Sequence, residues 1–292
     1  MERKQSIDPT GAAALVLFAL ILGVNQVVIK VATDGFQPVF LAALRSVGAL
    51  VVVLLWVRAR GISLRIPPEA RLGAALLGIF FTAEFICLYI SLDLTGVGRA
   101  SIIFYSMPIF VAVAAHWLLP GEQLSRIRAL GLALAMAGVI WVMLDRSPGQ
   151  HASLAGDILA LLAALFWAGI ALVVRLTPLD RASAEVQLTS QLAISAVLML
   201  LLTPFFGPLI RDLAPIHWAA LAFQVFAVAS IGYLFWFFLL KRYPASDVVS
   251  FSFLSPVFGV LLGWLVLDEP IGPEIIGGLV LVAVGITLVN RR

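Results

Sequence analysis

The sequence predicts an all-α integral membrane protein, with ten transmembrane helices laid out as two inverted five-helix repeats. Three observations predict it. Ten stretches of roughly 20 mostly apolar residues fill the chain, each long enough to cross the ~30 Å hydrocarbon layer as a helix. Of the 292 residues, 62% are hydrophobic and 12% charged, whereas a soluble globule is nearer ~25% charged. The second five stretches repeat the pattern of the first five, and because five is odd they must thread the bilayer in the opposite sense. A repeat of this kind is the usual build of a carrier with its site at the midplane.

The spans fall at about 11–32, 38–58, 71–91, 97–117, 126–145, 153–175, 183–205, 216–240, 246–267 and 273–290. Breakers separate them in order: Pro38, Pro67-Pro68, Gly96, Pro120-Gly121, Pro148-Gly149, Pro178, Pro208 with Pro215, Pro244, and Pro270 with Pro273. A missing backbone donor or an unconstrained backbone stops a helix at such points. The length would suit two soluble domains, but ten spans and their short connections use it up. The leading MERKQSIDPT and its apolar run resemble the first regions of a signal peptide. The run continues to Val31 with no small-residue cleavage site, so it reads as a retained first span.

Charge sets the orientation. With the N-terminus in the cytoplasm, fourteen Lys and Arg fall in inner loops and only Arg99, Arg146 and Arg211 in outer ones. That bias predicts a bacterial-type inner membrane protein with both termini cytoplasmic. The outer turns carry acids instead, among them Asp34, Asp93, Asp145, Asp212, Asp268 and Glu269. The net charge of +3 is therefore a topology signal and not a nucleic-acid patch. The single Cys87 excludes an intramolecular disulfide.

The halves, residues 1–147 and 148–292, align with an offset of about 145 at first, Gly11 on Gly156 and Lys30 on Arg175. Later the offset is about 148. SMPIFVAV then falls on LSPVFGVL, pairing Pro108 with Pro256 and Phe110 with Phe258. Glu122 pairs with Glu269, Gly131 with Gly278 and Gly138 with Gly285.

The paired Pro-x-Phe, the Glu ending spans 4 and 9, and the Gly-x6-Gly of spans 5 and 10 resemble the EamA-type branch of the drug/metabolite transporter superfamily. In this chain they read MPIFVAVAAHWLLPGEQLSRIRALGLALAMAG and SPVFGVLLGWLVLDEPIGPEIIGGLVLVAVG. The resemblance covers all ten spans. It implies two five-helix bundles of opposite orientation around a central cavity, and export of a small metabolite. The aromatic-rich spans are similar to YddG-like exporters of aromatic amino acids.

Three full charges lie well inside spans: Lys30 in span 1, Arg45 in span 2 and Glu84 in span 3. An ionisable group at that depth costs ~2.5–3.5 kcal/mol, so it faces protein or a wet cavity. Lys30 or Arg45 would meet a substrate carboxylate, and Glu84 an amine or a proton. The competing reading is a structural ion pair of Glu84 with Lys30 or Arg45, or a Lys30 that snorkels. None has a charged counterpart in the second half, since Arg45 falls near Ser190 and Glu84 near Gly232.

Asn25 with Gln26, Ser101 with Tyr105, Gln187 with Gln191, and Ser252 with Ser255 form polar stripes. Such groups are often interhelical glue. The family resemblance places spans 1, 4 and 9 on the cavity, which makes Asn25, Ser101 and Ser252 binding candidates. On span 3, Phe81, Glu84, Phe85 and Tyr89 share a face; on span 8, Phe226, Ser230, Tyr233 and Phe237 do. With Trp167 of span 6 and Tyr105, these rings can stack a flat substrate or hold a cation. Trp56, Trp117, Trp141, Trp218 and Trp264 read as interfacial belt or packing. Pro108 and Pro256 lie inside spans 4 and 9 and predict kinks that line the cavity and gate it. The glycines of spans 5 and 10 predict close helix contacts, within each bundle or between subunits.

Enzyme signatures are missing: the chain has no HExxH, GxSxG, Walker A or Gly-x-Gly-x-x-Gly motif. His116, His151 and His217 are scattered, so neither a metal nor another cofactor is expected. Transport would then be driven by the substrate gradient, by exchange or by an ion. The expected partners are a small-molecule substrate and the bilayer, with a monomer and a homodimer both compatible. A broad drug or organic-cation exporter would use the aromatics and Glu84 but not Arg45. A lipid-modifying enzyme would need more clustered acids, bases or ligands than a single Glu84 supplies.

Overall fold

The computed structural model describes residues 8–119, 124–145, 152–243, 251 and 254–289. Ser252, Glu122, Arg146, the Pro120-Gly121 and Pro148-Gly149 turns and the 147/148 boundary lie outside the described residues, and of Phe237 only the backbone is described.

Twelve helices are assigned among the described residues. They are α1 (Pro9–Gly35), α2 (Pro38–Ala59), α3 (Arg71–Leu94), α4 (Val97–Phe104), α5 (Met107–Leu118), α6 (Arg126–Leu144), α7 (Leu154–Leu176), α8 (Ala184–Leu202), α9 (Pro215–Phe223), α10 (Tyr233–Arg242), α11 (Leu254–Leu267) and α12 (Pro273–Val289). A π-helix, Gln224–Gly232, joins α9 to α10. Eight segments are long and apolar enough to cross a membrane, counting α4 with α5 and α9 with its continuation, while α11 and α12 are shorter apolar helices. Together they make the ten expected membrane segments in two five-segment repeats.

Side chains satisfy the exposed donors at several helix starts. Asp8 accepts from Gly11 N at 2.8 Å and Gln37 from Phe40 N at 2.6 Å. Ser125, Ser153 and Ser183 do the same for α6, α7 and α8. Pro9 and Pro38 open α1 and α2, where a missing N–H costs nothing.

Two spans are interrupted. Span 4 breaks at Tyr105–Ser106, with Pro108 in the first turn of α5, so the kink expected at Pro108 is a full break between α4 and α5. Its repeat mate Pro256 lies in the first described turn of α11. Span 8 carries the π-helix, which its sequence does not announce. There Ser230 Oγ donates to Val225 O five residues back, at 2.8 Å. The wider turn shifts the helix phase. Phe226, expected on one stripe with Ser230 and Tyr233, points outward and is 54% exposed, whereas Ser230 is buried.

The main contacts run between the halves. α6 packs on α12, α2 on α8, α4 on α11, α3 on α7 and α1 on α11. At the α6–α12 crossing, a Cβ on Gly138 would stand 2.8 Å from Gly278 O, and one on Gly131 would stand 2.6 Å from Gly285 O. The glycine stripes thus join the two repeats of one chain; neither expected alternative, packing within a bundle or between subunits, describes them. Trp117, Trp141, Trp218 and Trp264 are exposed on the outside of the bundle, where a belt would sit.

One end of the bundle is tied across the repeats. Phe36 pairs with Ile210 in an antiparallel bridge. Gln37 N donates to Leu209 O at 3.0 Å and Arg211 N to Gly35 O at 2.9 Å. The Arg211 guanidinium grips the Asp93 carboxylate through both nitrogens, at 2.6 and 2.9 Å, and also donates to Thr33 O. Arg99, expected in an outer loop, is instead 1% exposed on α4. It donates to Asp157 of α7 at 2.8 Å, with Asp145 3.6 Å away, and Thr95 also bonds to Asp157. Glu269 crosses from the second repeat to accept from Val97 N and Gly98 N at 2.7 and 3.0 Å, capping α4.

Two outcomes follow for unfolding measured in detergent. Arg99→Leu leaves a buried carboxylate without its guanidinium and is expected to cost about 3–5 kcal/mol. Gly138→Leu forces α6 from α12 and is expected to cost about 1–3 kcal/mol. Unchanged midpoints would refute the roles given to these contacts.

Candidate functional site

A cavity of about 320 Å³ lies between the repeats near the middle of the spans. It extends from Arg45, Glu84 and Gln191 past Phe18 and Trp236 to Ile286, away from the Arg211 end. Its walls repeat in symmetry. At the offsets that align the halves, Leu22 falls on Trp167, Asn25 on Ile170, Glu84 on Gly232, Phe85 on Tyr233 and Leu88 on Trp236, and all ten line the cavity. The frame is symmetric while the charge is one-sided. Arg45 and Glu84 both come from the first repeat.

Arg45 is 1% exposed, and its Cζ sits 4.0 Å from the Phe85 ring centroid. Its Nε and Nη1 have no hydrogen-bond partner. Glu84 is 4% exposed and lines the same cavity as Arg45. Among the described residues neither forms a salt bridge, so the expected structural ion pair is absent there. The rings close around them. Phe81 and Phe85 lie 4.5 Å apart by centroid, Phe104 stacks on Trp167 at 4.8 Å, and Tyr105 meets Trp167 edge-on at 5.8 Å. The arrangement offers a guanidinium, a carboxyl group and aromatic faces in a space suited to a small amphipathic molecule.

Of the expected site residues, Asn25, Arg45, Phe81, Glu84, Phe85, Tyr105, Trp167 and Tyr233 line this cavity, as does Pro108. Others stand elsewhere. Lys30 donates to Asp93 O at 3.3 Å and Thr95 O at 3.1 Å. It therefore closes the C-terminal end of α3, where a cation complements exposed carbonyls, and does not face the cavity. Tyr89 lies behind the wall, its hydroxyl bonded to Gln224 Oε1 of the π-helix. Ser101 packs against Gly259 on α11. Pro256 is buried outside the lining.

Sequence reasoning missed Phe18, Trp236 and Met107 as wall residues and named Gln26 only as part of a stripe. Phe18 stacks on Trp236 at 5.0 Å between α1 and α10. The alignment that places Leu88 on Trp236 carried a signal for the latter. Phe18 sat among lipid-like residues with nothing to mark it.

Comparison with known proteins agrees with this architecture. The EamA-like transporter family matches twice, over residues 9–144 and 154–291. The uncharacterized transporter YvbV of Bacillus subtilis is 30% identical, over 99% of this chain and 94% of its own. A probable amino-acid metabolite efflux pump of Escherichia coli is 29% identical, over 94% and 93%. A solved crystal structure superposes with a TM-score of 0.69 at 20% identity, covering 95% of this chain and 96% of that one. With two copies of the family's unit spanning nearly all of its length, the chain belongs to the EamA-like transporter family.

Proposed function

We propose that this transporter exports small amphipathic metabolites, aromatic amino acids foremost, by alternating access through the central cavity. The observation that carries the reading is the pairing of unbridged Arg45 and Glu84 within an aromatic wall. An α-amino acid supplies a carboxylate for Arg45, an ammonium for Glu84 and, when aromatic, a ring for Phe81, Phe85, Tyr105, Trp167 and Tyr233. The probable amino-acid metabolite efflux pumps among its relatives support efflux of amino-acid-related metabolites in general.

In the proposed cycle the repeats, with their boundary near 147/148, rock about the α6–α12 crossing. The Tyr105–Ser106 break lets α5 move apart from α4. On this reading the ties at the Arg211 end close the extracellular side, and the cavity would open toward the cytoplasm, where both termini are expected. The protein changes no bond in its substrate and is not an enzyme. Exchange, an ion or the substrate gradient drives it.

The test is uptake and counterflow in liposomes holding only this protein, with labelled phenylalanine against a panel of amino acids and organic cations. Saturable exchange of aromatic amino acids without ATP is expected. Movement of cations alone would overturn the assignment in favour of a drug exporter. Arg45→Gln and Glu84→Gln should each lower phenylalanine exchange roughly 10- to 100-fold, since a hydrogen bond to a charged group contributes about 1.5–3 kcal/mol. An Arg45→Gln protein that exports amino acids normally would remove the carboxylate assignment.

A further inference from the structure

The cavity's unsatisfied polar atoms are sorted by kind, and the sorting has a direction. On α2 the free groups are donors, Arg45 Nε and Nη1. On α1 they are acceptors, Asn25 Oδ1 and Gln26 Oε1. Asn25 is 5% exposed, Gln26 1% and Arg45 1%, and all three line the same space as the Glu84 carboxylate of α3. A buried polar atom left unpaired costs about 1–3 kcal/mol. Four such atoms on one cavity therefore mark a surface completed by its ligand.

We propose that Asn25 and Gln26 are specificity-determining residues that, with Glu84, receive the substrate's ammonium group, opposite the carboxylate held by Arg45. The inference rests on the amino-acid reading above and deepens it. A carboxylate alone satisfies Arg45 but strands three sets of acceptors. An organic cation alone satisfies the acceptors but strands the guanidinium. Only a ligand carrying both groups completes both sides. Asn25 and Gln26 line the same cavity as Glu84, so two amide oxygens and a carboxyl group are available to an ammonium with three donors. The second repeat has no equivalent pair, because Asn25 falls on Ile170. The site therefore fixes which way round the ligand lies.

The experiment compares phenylalanine, 3-phenylpropionate and phenethylamine as competitors of labelled phenylalanine in the same liposomes. The wild-type protein should prefer phenylalanine to both analogues by at least about tenfold, the equivalent of one such bond. Asn25→Leu and Gln26→Leu should erase the preference over 3-phenylpropionate while keeping that over phenethylamine; Arg45→Gln should do the reverse. Asn25→Asp and Gln26→Glu, which keep an acceptor and the shape, should retain the ammonium preference and show that the cavity still folds. If the leucine variants keep the wild-type order of the three ligands, or if the acidic variants lose it as the leucine variants do, the proposal is overturned. A wild-type protein that exchanges no amino acid would defeat the functional reading itself, a result distinct from either.

Discussion

A charge held inside a hydrocarbon layer must be matched by another group, and that constraint organises this molecule. Arg99 is matched: it lies buried against Asp157, with Asp145 behind it, and so locks α4 to α7 across the repeats. Lys30 is matched by the carbonyls that end α3. Arg45 and Glu84 are kept in the same layer without a salt bridge, and a cavity surrounds them. The distinction between the charges that build the bundle and these two is one of partners rather than of depth, since Arg45 and Arg99 are equally buried.

Duplication gives the site its frame and divergence gives it chemistry. Corresponding positions of the two repeats line the cavity in pairs, yet Glu84 corresponds to a glycine and Asn25 to an isoleucine. A strictly symmetric cavity would offer each ligand two equivalent poses. Here the charged groups come from the first repeat, while Gln191 and rings such as Trp167, Tyr233 and Trp236 come from the second.

The spans, their order and the repeat were legible because hydrophobic length, proline placement and basic loops are properties of short windows. The same windows found the polar residues of the cavity, because a charge or a polar stripe inside a span is visible where it stands. Arg99 was misjudged for the matching reason: from the sequence it sits near a span end, and only its distant partner Asp157 reveals its burial. The π-helix at Gln224–Gly232 was equally hidden. Its sequence, QVFAVASIG, is ordinary helix former, and the i−5 bond from Ser230 and the buried Tyr89–Gln224 pair are tertiary choices. Lys30 was read as a ligand or a snorkel because the carbonyls that hold it lie 63 and 65 residues away.

The interleaving of the halves has a consequence for biosynthesis. Arg99 waits for an aspartate made 58 residues later, and the α4 amides wait for Glu269, 171 and 172 residues later. At translation rates of about 5–20 residues per second, the first delay lasts several seconds and the second roughly ten to thirty. Until then the first repeat has only Asp145 beside the Arg99 guanidinium and no carboxylate at the start of α4. The start of α4 is therefore completed only once the ninth span has been made and Glu269 has followed it.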